Sequence, residues 1–175
     1  MKNDMILVLD FGSQYTQLIA RRVRELNIYS EVHPFSMKLA DIKALNPKGI
    51  ILSGSPSSIY EKDAPIPDKG IFELKIPVLG ICYGMQVISY FFGGKVAGSK
   101  HREYGFAELH VKKNPLLAGL KAKEQVWMSH GDKMTAMPKN FEAAAFTSGS
   151  KYAVISHKKE NIFAVQFHPE VVHTK

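Results

Sequence analysis

At 175 residues, 45% hydrophobic and 22% charged, the chain has the length and composition of one globular domain with a substantial core. Its formal charge is +7, but the basic residues are spread out, paired only at Arg21-Arg22, Lys112-Lys113 and Lys158-Lys159. No aromatic-interleaved basic stretch accompanies them, so no nucleic-acid partner is expected, and the charge reads as a solvated face, part of it facing a partner domain.

The chain opens with Met1-Lys2-Asn3-Asp4 and no secretory pattern, then Met5-Ile6-Leu7-Val8-Leu9 reads as a buried strand ending at Asp10. After the turn Asp10-Phe11-Gly12-Ser13, the residues Leu18, Ile19, Val23 and Leu26 recur at helical spacing, with arginines largely on other faces. Residues 29–33 read as a second strand and 37–45 as a short helix stopped by Asn46-Pro47. Residues 49–52 are a third buried strand, ending at Ser53-Gly54-Ser55-Pro56, and 67–74 read as another helix. Pro77-Val78-Leu79 forms a fourth strand, and 85–92 a helix closed by Gly93-Gly94. The second half is strand-rich, at 108–111, 125–128, 143–147, 153–156 and 162–167. Strands alternating with helices predict βαβ units. The expected fold is therefore α/β, one domain over 1–175, with an open mixed, mostly parallel sheet and helices on both faces. Ligands of such sheets bind outside the carboxyl ends of the strands, where Asp10, Ser53-Gly54-Ser55 and Cys82 lie. No apolar run approaches the roughly 20 residues that span a bilayer, so no membrane partner is expected. The single cysteine can form no internal disulfide and no Cys/His spacing suggests zinc, so a reducing cytoplasm is the expected setting and no metal site is expected.

That cysteine carries the chemistry. Cys82 sits in Gly80-Ile81-Cys82-Tyr83-Gly84, between a strand and a helix, with a glycine two places to either side. This is the pattern of a nucleophile elbow, with cysteine in place of serine. The glycines let strand and helix cross closely, and the helix N-terminus behind the thiol favours the thiolate. A buried inert cysteine is the alternative. Near the C-terminus, Phe163-Ala164-Val165-Gln166-Phe167 alternates as a strand and leads to His168-Pro169-Glu170. Residues i and i+2 of an extended segment point the same way, so imidazole and carboxylate can meet a thiol from one side. A thiol needs such a base, and the base an orienting acid. None of the other histidines is followed by Pro-Glu.

Gly80-Ile81-Cys82-Tyr83-Gly84-Met85-Gln86 together with Phe167-His168-Pro169-Glu170 resembles the class I, triad-type glutamine amidotransferase domain, and the resemblance covers essentially the whole chain. Three further stretches are the run from Asp10-Phe11-Gly12-Ser13-Gln14-Tyr15 to Glu25, Arg102-Glu103-Tyr104-Gly105, and Val126-Trp127-Met128-Ser129-His130-Gly131-Asp132. They narrow it to the branch whose ammonia serves the amination of xanthosine monophosphate to GMP. The resemblance implies that glutamine is hydrolysed through a thioester, with Cys82 as nucleophile, His168 as base and Glu170 as orienting acid. It implies oxyanion donors at the Tyr83 N–H and in the 53–56 loop, each worth about 3 kcal/mol. The family usually has glycine where this chain has Ser55. Serine keeps the N–H but tolerates positive φ poorly, so a strained or displaced loop is expected, and Ser55→Gly is expected to hold or raise activity. Gln86, Ser57 and the loop holding Ser129, Gly131 and Asp132 are implied to hold the amino-acid end of glutamine. His101, Arg102, Glu103 and Tyr104 fit either fold support or an interface, and Asp10 fits a plain turn.

The branch also implies an ATP pyrophosphatase (synthetase) domain with a Ser-Gly-Gly-x-Asp-Ser phosphate loop, and this sequence has none. The other half is expected on a separate subunit or on a chain from which this one was excised. ATP and Mg would then bind only there, with no cofactor in this domain. A silent amidotransferase-like module and a cysteine peptidase remain as alternatives; the intact triad residues count against the first, and Gln86 with 129–132 against the second.

Overall fold

The structure is a computed structural model that describes residues 4–175, with the backbone only at 99–102; the side chains of His101 and Arg102 thus lie outside the described residues. Nine strands form one sheet in the order β2-β1-β3-β4-β9-β8-β7-β5-β6. They are β1 Met5–Asp10, β2 Tyr29–Pro34, β3 Gly49–Leu52, β4 Val78–Ile81, β5 Lys95–Val111, β6 Lys123–Ala136, β7 Phe141–Phe146, β8 Val154–His157 and β9 Ile162–Val165. Strands β2, β1, β3, β4 and β9 are parallel neighbours, and β8, β7, β5 and β6 continue the sheet antiparallel. The α-helices are α1 Thr16–Glu25, α2 Leu39–Leu45 and α3 Tyr83–Phe91.

Strand β1 is inaccessible at Leu7, Val8 and Leu9, because both sheet faces are covered. Leu7 and Leu9 pack with Ile42 of α2 and Met85 and Ile88 of α3. Val8 points the other way, into a second core with Ile19 and Ala20 of α1, Ile81 and Val165. The mixed sheet with helices on both faces is therefore as expected. Helix α2 stops because Asn46 takes a left-handed φ of 51° and its N–H caps the Ile42 and Lys43 carbonyls, just before Pro47. No helix among the described residues is long and apolar enough to cross a membrane.

Three expectations need correction. The helix expected at 67–74 is a single 3-10 turn, Lys69–Glu73. Prolines at 65 and 67, Gly70 packed under Leu39, and Lys75 at φ 59° leave too short a span for an α-helix. The strands expected at 108–111 and 125–128 are parts of one long hairpin, β5 with β6. Glycines at 98, 105 and 131 and a register shift between Gly98 and Glu103 interrupt the alternation that would have revealed its full length. For the same reason the segment 129–132 is not a loop but the middle of β6, where Ser129 pairs with Tyr104 and His130 with Glu103.

Helix α3 crosses β4 and β3 closely. A Cβ added at Gly80 would stand 2.5 Å from the Gly84 backbone, and one at Gly84 would overlap the Leu52 carbonyl oxygen and lie 2.8 Å from the Leu52 Cβ. Backbone cannot yield as a side-chain tip can. Gly84→Ala should therefore lower stability by about 2 kcal/mol or more despite alanine's better helix propensity, read as a fall in urea midpoint; an unchanged midpoint would contradict the crossing.

Candidate active site

Strand β4 lies between β3 and β9, and their carboxyl ends are level, with Leu52 opposite Gly80 and Ile81 opposite Val165. This brings together 53–57, 82–86 and 166–170, which are far apart in the chain. Cys82 is the hinge between β4 and α3. Its φ of 52° and ψ of −100° lie in a region an L-residue enters at a cost of about 1–3 kcal/mol. Clamps on both sides hold it there: the Cys82 N–H donates to the Val165 carbonyl at 2.8 Å, and the Gly84 N–H to the Ser53 carbonyl at 3.1 Å.

The Cys82 sulfur faces a cleft of about 670 Å³, which His168 also lines. The thiol points toward the Ser129 carbonyl at 3.7 Å. His168 and Glu170 are both buried, and Nδ1 of the imidazole lies 2.7 Å from Glu170 Oε1. Nδ1–H donates to the carboxylate, which leaves Nε2 free for the thiol. Their backbone is pinned as well. The His168 carbonyl accepts from the Thr174 hydroxyl at 2.6 Å, and the Glu170 carbonyl from Arg22 Nε of α1 at 2.9 Å. The Tyr15 ring meets the His168 ring edge-on, with centroids 5.3 Å apart. Burial of His168 works against a positive charge, but interaction with Cys82 and then Glu170 outweighs it, and the pKa is pushed up to about 10.

Ser55, Ser57 and Gln86 line the same cleft, as do Ser129, Gly131 and Asp132. Gln86 is buried rather than an exposed helix glutamine, and its Oε1 is an acceptor with no partner among the described residues. Tyr83 presents only its backbone: its side chain is core, its hydroxyl donates to the Pro65 carbonyl at 3.1 Å, and burial raises its pKa. The strain expected at Ser55 is absent. Positive φ occurs at Asn27, Asn46, Lys75, Cys82 and Asn140 among the described non-glycine residues, and not at Ser55. The Ser55 hydroxyl instead accepts the Ser57 N–H at 3.2 Å and braces the loop. Asp10 is a turn residue, accepting from the Gly12 N–H and the Thr16 hydroxyl.

Three contributors escaped the sequence reading. The Gly12–Tyr15 turn, singled out for the resemblance but given no place in the site, lines the cleft from the end of β1. His130 is buried in β6 with Nε2 2.9 Å from Glu103 and Nδ1 3.0 Å from the Asp132 carbonyl. The contact with Asp132 braces the strand beside Gly131, and burial, outweighing Glu103, lowers the His130 pKa. Gln166 is fully buried with Nε2 3.9 Å from the Cys82 sulfur. The strand expected over 162–167 ends at Val165, and 166–170 form a bend and a turn, so spacing along a strand gave no signal for it.

A polar cleft floored by an elbow cysteine beside a buried His–Glu pair suits acyl transfer from an amide. The family model for glutamine amidotransferase class-I matches residues 7–175. The chain belongs to the class I glutamine amidotransferases. It is 55% identical over 173 residues to GMP synthase (glutamine-hydrolyzing) of Brachyspira hyodysenteriae, covering 98% of this chain and 34% of that one. To the protein of the same name from Elusimicrobium minutum it is 58% identical over 171 residues, covering 97% and 34%. The chain thus spans about a third of the length of these curated relatives. Its fold superposes with a TM-score of 0.87 on a candidate GMP synthase subunit from Thermoplasma acidophilum, 30% identical, covering 99% of this chain and 87% of that one. A glutamine amidotransferase from Thermotoga maritima, 20% identical, shares the fold with a TM-score of 0.76, covering 97% and 77%.

Two measurements check this geometry. The ordinary histidine value is 6.5, so a His168 value near 10 means its charge contributes stability in full below about pH 6.5, lost as pH rises through about 10. An NMR titration should find the His168 ring protonated through neutral pH, with a lower midpoint in Cys82→Ala; a midpoint near 6.5 in the unaltered chain would contradict the pairing. Ser55→Gly removes one turn hydrogen bond and relieves no strain, so glutamine turnover should fall by about threefold, and a rise would show the loop strained after all.

Proposed function

We propose that this chain is the glutaminase part of a GMP synthase and that Cys82, His168 and Glu170 are its catalytic triad. The observation that carries the reading is the strained elbow cysteine facing a buried His168–Glu170 pair 2.7 Å apart. Glutamine enters the cleft with its amino-acid end toward Gln86, Ser57, Ser129, Gly131 and Asp132. The unpartnered Gln86 Oε1 suits the α-ammonium group. At neutral pH His168 already holds the proton drawn from the thiol, and the Cys82 thiolate attacks the side-chain carboxamide carbon. The Tyr83 and Ser55 N–H groups hold the oxyanion; neither donates to another backbone group among the described residues. His168 then gives the proton to the leaving nitrogen, ammonia departs, and a glutamyl thioester remains on Cys82. Water, deprotonated by His168, attacks the thioester, and glutamate leaves as the thiolate re-forms.

The ammonia goes to an ATP pyrophosphatase (synthetase) domain or subunit, which activates xanthosine monophosphate with ATP and Mg and aminates it to GMP. Hydrolysis of glutamine itself calls on no cofactor in this domain. A whole enzyme of this kind works in the cytoplasm, without nucleic acid or membrane. The residue count of the chain and the single sheet built from Met5 to Val165 support one amidotransferase domain over 1–175.

Ammonia release from saturating glutamine tests the roles. Cys82→Ala should abolish it, His168→Ala should reduce it by about 10³-fold or more, and Glu170→Ala should cost less, because an unoriented imidazole still reaches the thiol. Parent-rate turnover in Cys82→Ala, or equal losses at His168 and Glu170 in folded protein, would overturn the assignment. A lone domain should also turn over slowly and speed up when a synthetase partner is added with ATP and xanthosine monophosphate; equal rates would mean that the site is already assembled.

A further inference from the structure

Gln166 is a fully buried group at the nucleophile that the hydrolysis just described does not use. β9 ends at Val165, and in the bend that follows the Gln166 N–H donates to the Ala153 carbonyl at 2.8 Å, which fixes the backbone there. From there its side chain reaches the Cys82 sulfur, with Nε2 at 3.9 Å. It is not part of the cleft lining, so it reaches the sulfur from the protein side rather than across the substrate. Its Oε1 is buried with no hydrogen-bond partner among the described residues. An unpaired buried acceptor is costly, and an apolar side chain of the same length would avoid that cost. The amide is therefore a poor choice for packing alone, and its N–H is the part with a destination.

The Ser129 carbonyl, 3.7 Å from the sulfur, is an acceptor that suits a thiol and opposes a thiolate. His168 provides a positive charge, but only while it holds the proton it must give to the leaving nitrogen. A donor that never gives up its hydrogen would serve the sulfur throughout, including when it leaves the thioester as a thiolate.

We propose that Gln166 is a positioning residue for the nucleophile: its side-chain N–H holds the Cys82 sulfur at the elbow and stabilises the thiolate from the buried side, independently of His168. The inference rests on Cys82 being the nucleophile, but its test needs no glutamine. The titratable groups sharing the cleft are His168, with Glu170 behind it, and His130, Asp132, Glu61, Tyr15 and Tyr104. The variants alter none of these.

Carbamidomethylation of Cys82 by iodoacetamide is followed against pH in the unaltered chain, Gln166→Met and Gln166→Glu. Methionine keeps the length without a donor, and glutamate places a negative charge there. The inflection should move up by about one pH unit in Gln166→Met and further in Gln166→Glu. Glutamine turnover in Gln166→Met should lose about tenfold in kcat with KM unchanged. An unmoved inflection in folded Gln166→Met would overturn the proposal and make Gln166 a packing residue. Should neither variant show a cooperative unfolding transition, the unaltered chain decides. The Gln166 side-chain amide NMR signals should shift with the same pH midpoint as alkylation, and this shift should be absent in Cys82→Ala; signals that ignore the thiol would overturn the proposal. A moved inflection together with no glutaminase activity would instead count against the proposed function alone.

Discussion

The site depends on one steric constraint, the crossing of β4 and α3 at near-backbone contact. Gly80 and Gly84 leave no room for a Cβ, and Cys82 between them must turn the chain with a left-handed φ. The strain persists because both flanks are anchored. Tyr83, Met85, Val87 and Ile88 are buried on α3, and the Val165 and Ser53 carbonyls grip the backbone on either side of the sulfur. The thiol is presented at a fixed place by the fold's own core packing, and a nucleophile held this way needs little reorganisation to react.

Strand order does the rest. With β4 flanked by β3 and β9, the segments after all three strands converge on the sulfur, bringing a candidate oxyanion loop to one side and the His168–Glu170 pair to the other. The β5–β6 hairpin belongs to the far edge of the sheet, yet it reaches back: the His168 N–H donates to the Trp127 carbonyl and the thiol faces the Ser129 carbonyl. The cleft is thus closed by elements from both halves of the chain, and its electrostatics follow. Two histidines share it with opposite tendencies, His168 raised by Cys82 and Glu170, and His130 lowered by burial.

The parallel half of the fold was readable because of unbroken apolar runs, such as 5–9 and 49–52, and of the clear helical spacing at 18–26 between them. The hairpin was not, because its glycines and its register shift hide the period-two pattern along most of its length. Cys82, His168 and Glu170, the proposed triad, stood out through motif spacing, which reports local geometry. Ser55 was misjudged because its conformation is set by the surrounding loop, where its hydroxyl finds the Ser57 N–H. His130 and Glu103 are partners only across a strand pairing that was not foreseen. Gln166 looked like the polar half of an alternating strand, whereas β9 ends at Val165 and the Gln166 amide in the bend after it meets the Cys82 sulfur.

The central claim is that the elbow sulfur forms a covalent bond to the substrate. It is tested most directly by quenching the chain in acid during steady-state turnover of isotopically labelled glutamine and mapping the label by peptide mass spectrometry. The account predicts a labelled glutamyl adduct on the peptide containing Cys82, lost on treatment with hydroxylamine as a thioester should be. Turnover with no adduct on that peptide, or an adduct on any other residue, would contradict it.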